Sequence, residues 1–136
     1  MSEFPITIFH NPACGTSRNT VAMVKAAGYE PEIVEYLQAG WTKAQLKGLL
    51  DAMGAGPRDI LREKGTPAAE LGLLDESVGD EAILDAMVAL PILVNRPIVA
   101  TPKGVKLTRP SEAVLDLLDR KPESFTKEDG EVMRLL

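Results

Sequence analysis

The first 37 residues constrain the fold more than any other part of the chain. Ile6-Thr7-Ile8-Phe9 is a short apolar run rich in β-branched residues that stops at Asn11-Pro12, the pattern of a buried strand closed by a turn. From Thr16 to Ala27 the apolar residues Val21, Val24 and Ala27 recur at helical spacing, and Gly28 stands where a C-terminal cap belongs. Pro31 opens the next element, and Ile33-Val34-Glu35-Tyr36-Leu37 reads as a second strand. Strand, helix and strand in so short a length predict a right-handed βαβ unit.

The stretch from Trp41 to Leu90 has another texture. Thr42-Lys43-Ala44-Gln45 fits a capping box, followed by Leu46, Leu49, Leu50 and Met53 at helical spacing. Pro57-Arg58-Asp59-Ile60-Leu61-Arg62 predicts a second helix with proline in its first turn, and Asp80 to Leu90 a third, with Ile83, Leu84, Met87 and Val88 on one face. We therefore expect an all-helical insertion over about 41–90. Strand character returns at Pro97-Ile98-Val99-Ala100 and Val105-Lys106-Leu107-Thr108, joined by the turn residues Thr101-Pro102-Lys103-Gly104. Ser111-Glu112-Ala113 opens a last helix through Leu118, and the charged tail from Pro122 is expected to be helical at most in part. This order predicts an α/β fold of the thioredoxin/glutaredoxin-like kind. Its mixed sheet carries the helical insertion between the βαβ unit and the C-terminal β-hairpin, all within one domain, 1–136.

Composition narrows the function classes. At 136 residues, 45% hydrophobic and 26% charged, the chain suits one globular domain with a sizeable core. A net charge of -5 argues against nucleic acid as a main partner. The apolar stretches fall short of the roughly 20 residues a membrane span needs, and no signal-like leader opens the chain. The expectation is a soluble, cytoplasmic protein, and a monomer.

The chain has one cysteine, Cys14, placed where the first helix begins. A thiol there faces unpaired backbone N–H groups and the positive end of the helix dipole, both of which favour thiolate. A free cysteine is also commonly a small buried hydrophobe, but the polar and small neighbours in His10-Asn11-Pro12-Ala13-Cys14-Gly15-Thr16-Ser17-Arg18 favour a nucleophile. Ser17 stands where a dithiol enzyme carries its second cysteine; it serves either as a helix cap or as a hydroxyl donor to the sulfur. His10, the one histidine, is either a polar strand end or an imidazolium that favours the thiolate. One His and one Cys are too few ligands for a zinc site, so no metal is expected. Thr20 occupies the position where a phosphatase-type Cys-x5-Arg loop needs arginine, which excludes that loop. Arg96 in Asn95-Arg96-Pro97 and Arg109 in Thr108-Arg109-Pro110 flank predicted strands.

The segment His10 to Thr20, the predicted helix around Leu61-Arg62-Glu63-Lys64, Pro91 to Val99, Arg109-Pro110-Ser111-Glu112 and Phe125 to Glu131 together resemble the glutathione- and glutaredoxin-coupled bacterial arsenate reductases. The resemblance covers nearly the whole chain. It implies that Cys14 is the nucleophile, that Arg62, Arg96 and Arg109 bind the oxyanion, and that Arg96-Pro97 is a cis bond. It further implies arsenate as substrate, glutathione as co-substrate, glutaredoxin as partner and no bound cofactor. Glutathione attack on a Cys14-arsenate ester would leave Cys14 in a mixed disulfide or a thiol-arsenic adduct. Two other functions fit the residues: a glutathione-dependent thiol oxidoreductase acting on protein mixed disulfides, and a redox-sensitive regulatory binding protein. Ser17 in place of a second cysteine argues against the Cys-x-x-Cys regulators related to this family.

Overall fold

The computed structural model describes residues 4–134, which divide into two compact units: 4–35 with 96–134, and 36–95. The first unit is built on a four-stranded mixed sheet. Strands β1 (Thr7–His10) and β2 (Glu32–Glu35) run parallel, with helix α1 (Gly15–Ala26) between them in the chain. Strands β3 (Ile98–Thr101) and β4 (Gly104–Leu107) complete the order β2-β1-β3-β4, β3 lying antiparallel to both its neighbours. Ile8 pairs with Ile33 on one side and Val99 on the other. Ile8 and Val99 are buried in one core with Ile6, with Met23 and Val24 of α1, and with Val114, Leu115, Leu117 and Leu118. That burial seats α1, and with it the loop before it, at the end of β1.

Two expectations for this unit need correction, and the structure adds a hairpin in the tail. The second strand stops at Glu35 rather than Leu37, because Tyr36–Ala39 turns into the short helix α2. Tyr36 is fully buried and its hydroxyl donates to Val94 O at 3.1 Å, while Gly40 N–H closes the turn onto Tyr36 O. The predicted helix at Ser111 is a 3-10 helix, Ser111–Leu117. Its buried Ser111, Val114 and Leu117 recur every three residues, and three residues per turn stack such a row on one face. The tail is not helical: Ser124–Thr126 (β5) and Val132–Arg134 (β6) form an antiparallel hairpin, with Phe125 and Met133 paired and packed on the core. Gly130, at φ 93°, supplies the left-handed residue of its turn.

In the second unit, helix α3 (Lys43–Met53) begins at the expected capping box: Gln45 N–H donates to Thr42 Oγ1 at 3.1 Å and Thr42 N–H to Gln45 Oε1. Helix α4 (Asp80–Ala89) buries Ile83, Leu84 and Met87. Between them the insertion is not helical throughout. Pro57 starts only a 3-10 turn, Pro57–Ile60, after which Leu61 bridges to Val94 and Arg62 N–H donates to Leu93 O at 2.8 Å. Residues 64–78 form turns organised by the Arg58 guanidinium, which donates to the carbonyls of Leu73, Asp75 and Val78. Gly65 and Gly72, both at positive φ, break any helix there. Among the described residues no helix is long and apolar enough to cross a membrane.

Candidate active site

The loop after β1 is shaped by Asn11. Its Oδ1 accepts the Ala13 N–H at 2.9 Å and its carbonyl the Cys14 N–H at 3.0 Å, a side-chain-stapled turn that Pro12 favours. Cys14 is thereby the N-cap of α1, with extended φ −100° and ψ 122°, and its carbonyl accepts the first helical bond, from Arg18 N–H at 2.9 Å. It exposes 6% of its surface.

Two peptide bonds are cis: Arg96-Pro97, as the resemblance implied, and Arg109-Pro110, which sequence reasoning did not anticipate. Thr108 N–H donates to Pro97 O, and the buried Thr108 hydroxyl meets Thr20 of α1 at 3.3 Å. These bonds hold the Arg109 loop against the start of α1. Arg109 Nη1 lies 3.7 Å from Cys14 Sγ and 3.0 Å from Arg96 O. Burial pushes the Cys14 thiol up, but the Ser17 backbone N–H, the Arg96 charge, and the hydrogen bond and charge of Arg109 together outweigh it. The thiol is held below its ordinary range.

His10 ends β1, the first of its two expected settings, and the Ser17 side chain is turned to the loop. The fully buried Ser17 hydroxyl sits 2.6 Å from His10 Nδ1 and accepts the Asn11 N–H at 3.1 Å, so it braces the loop, while the Ser17 main-chain N–H favours the thiolate. Burial lowers the pKa of His10, the Glu35 carboxylate opposes that, and the charges of Arg18 and Lys25 reinforce it, so its surroundings disfavour the imidazolium.

Cys14, Ser17, His10, Arg96 and Arg109 thus fall in one unit and form one connected cluster. Arg62 belongs to the other unit, where its Nε donates to Lys64 O at 3.0 Å. Sequence reasoning missed Asn11 as the loop's organiser, although Asn-Pro ahead of the cysteine carried that signal. It also missed Arg18, whose Nη1 donates to Pro12 O at 2.7 Å and whose partner Glu128 is too distant in sequence for any local pattern to reveal. Among the described residues no group of three or more His, Cys, Asp or Glu could hold a metal ion.

A thiol held toward thiolate at a helix N-terminus, near the charges of Arg96 and Arg109 and a cis-proline loop, on a βαβ-plus-hairpin sheet, defines a protein of the thioredoxin-like α/β class. More particularly, the chain belongs to the ArsC family, which matches residues 9–117. It is 60% identical over 134 residues to an arsenate reductase of Synechocystis, covering 98% of this chain and 93% of that relative. It is 50% identical over 127 residues to the arsenate reductase of Escherichia coli strain K12, covering 93% and 90%. Among solved structures, the arsenate reductase from Vibrio cholerae superposes with a TM-score of 0.81 at 34% identity, covering 86% of this chain and 100% of that one.

Proposed function

We propose that the protein reduces arsenate to arsenite through a covalent intermediate on Cys14, with glutathione and glutaredoxin supplying the electrons. The carrying observation is the lone thiol at the start of α1 with Arg109 Nη1 at 3.7 Å from its sulfur. Cys14 thiolate attacks arsenic; an S–As bond forms and one arsenate oxygen leaves as water. Guanidinium forks at Arg96 and Arg109 neutralise the charge on the remaining oxygens, and the N–H groups at the start of α1 add donors. Arg62 is included as a third oxyanion ligand on the strength of the resemblance.

Reduction of arsenic from the pentavalent to the trivalent state takes two electrons, the number released when two thiols become one disulfide. With one cysteine in the chain, the second thiol comes from outside. Glutathione sulfur bonds to Cys14 Sγ as the S–As bond breaks; the electron pair stays on arsenic, which leaves as arsenite with the glutathione proton. Glutaredoxin then takes the glutathione by thiol exchange and returns Cys14 as thiolate. Arsenate-dependent NADPH consumption, coupled through glutathione, glutaredoxin and glutathione reductase, tests this. Turnover is expected in the wild type and none in Cys14→Ser. Wild-type reduction of a glutathionylated peptide with no response to arsenate would instead assign the protein to thiol exchange.

A further inference from the structure

No step above uses the segment Phe125 to Glu131, yet two of its residues are tied to the elements that carry Cys14 and Arg109. Glu128 meets Arg18 in a fork, Oε2 to Nε at 2.8 Å and Oε1 to Nη2 at 2.9 Å, and its N–H donates to Asn19 Oδ1 at 3.0 Å. Arg18 in turn donates through Nη1 to the carbonyl of Pro12, two residues before the nucleophile. Lys127, with 12% of its side chain exposed, pairs with Glu112 at 2.9 Å, three residues after Arg109 and just past the second cis-proline. Glu131 holds the same ammonium at 3.6 Å. Phe125 and Met133 anchor the hairpin in the core beneath these contacts.

We propose that the β5–β6 hairpin is a positioning strap: Glu128 grips the Cys14 loop through Arg18, Lys127 grips the Arg109 loop through Glu112, and together they hold Arg109 at bonding distance from the Cys14 sulfur. The separation matters because a loosened site costs rate even when every reacting group remains. The inference rests on Cys14 as nucleophile. Charge alone predicts the opposite effect at one of the two grips. Replacing Glu128 by a neutral residue removes an anion from the partner of Pro12 and leaves the Arg18 charge, which by itself favours the thiolate.

The test compares Glu128→Gln and Lys127→Met with Lys106→Met, which removes an exposed pair between β4 and Asp116 that touches neither the hairpin nor the Cys14 loop. For each, kcat and KM for arsenate are measured in the coupled assay, with the melting temperature and the pH profile of Cys14 reactivity toward a small disulfide. Glu128→Gln is expected to lower kcat about tenfold with no rise in the pH midpoint of the thiol, and Lys127→Met to raise KM about tenfold. Lys127→Arg restores the wild-type KM, and Lys106→Met matches wild type. Both strap variants staying within about twofold of wild type in kcat and KM, whatever their melting temperature, would overturn the proposal. If Glu128→Gln or Lys127→Met does not fold, Glu128→Asp and Lys127→Gln carry the same comparison, with kcat lowered for the shortened carboxylate and KM raised for the lost ammonium. Loss of the strap proposal leaves Cys14→Ser inactive, whereas active Cys14→Ser removes the nucleophile itself.

Discussion

Replacing Arg109 by glutamine isolates the electrostatic part of the site, because the amide keeps polar reach and loses the charge. A unit charge at about 4 Å contributes ~1 kcal/mol in water and ~4 kcal/mol at the effective dielectric of a protein surface. Arg109 is exposed while Cys14 is buried, so a loss of about 1–2 kcal/mol is expected from the 3.7 Å contact. At any pH below the thiol midpoint this lowers the thiolate population about 5- to 30-fold. A more basic thiolate is also a better nucleophile, and with a Brønsted slope of about 0.4–0.5 it recovers about half of that loss on a logarithmic scale. The variant should therefore react about 2- to 5-fold more slowly than wild type with a small disulfide at acidic pH, and faster by a similar factor above both midpoints. The two pH profiles cross. Stopped-flow measurement is clean here because the chain has one sulfur nucleophile. Superimposable profiles would refute the coupling, and a uniform slowing at every pH would show that Arg109 governs access rather than charge. The Ser17 N–H and the Arg96 charge remain in the variant, so the thiol should not return fully to its ordinary range.

Other consequences follow from the same contacts. Ser17→Ala strands the Asn11 N–H and removes the partner of His10 Nδ1, so denaturant unfolding should show a loss of about 1–3 kcal/mol, while the thiol profile stays close to wild type because the main-chain N–H remains. His10 has its folded pKa depressed below the ordinary 6.5, so the unfolded chain binds that proton first. The stability it carries is present above pH 6.5 and is lost as pH falls from there through the folded value; His10→Asn should flatten the melting profile in that window. Arg96→Lys and Arg62→Lys each replace a planar fork with a point charge and should lower kcat/KM for arsenate about tenfold to hundredfold, with unchanged kinetics removing that residue from the anion site.

Local patterns carried the first half of the fold because its signals are local. The apolar run at Ile6–Phe9, the helical spacing of Val21 and Val24, the Thr42–Gln45 capping box and the turn before Gly104 all act within a few residues, and each element lies within a few residues of its expected place. The misread parts depend on distant partners. Tyr36 leaves its strand for Val94, Leu61 leaves a helix for the same residue, and Phe125 pairs with Met133 only because a core lies beneath them. The site divides in the same way. Cys14 at a helix start was legible in the order of residues, but the switch of Ser17 from hydroxyl to main-chain donor depends on His10 and Asn11 meeting its side chain. The Arg109–Cys14 contact spans 95 residues, and resemblance rather than local pattern pointed to it.

The central claim is that Cys14 supplies one of two sulfurs and glutathione the other. Intact-protein mass spectrometry after a single turnover with arsenate and glutathione, with glutaredoxin withheld, tests it most directly. The account predicts one glutathione joined by a disulfide to Cys14, formed only when arsenate is present and accompanied by one arsenite per chain. Arsenite release from a chain whose Cys14 is never modified, or an identical adduct forming without arsenate, would contradict it.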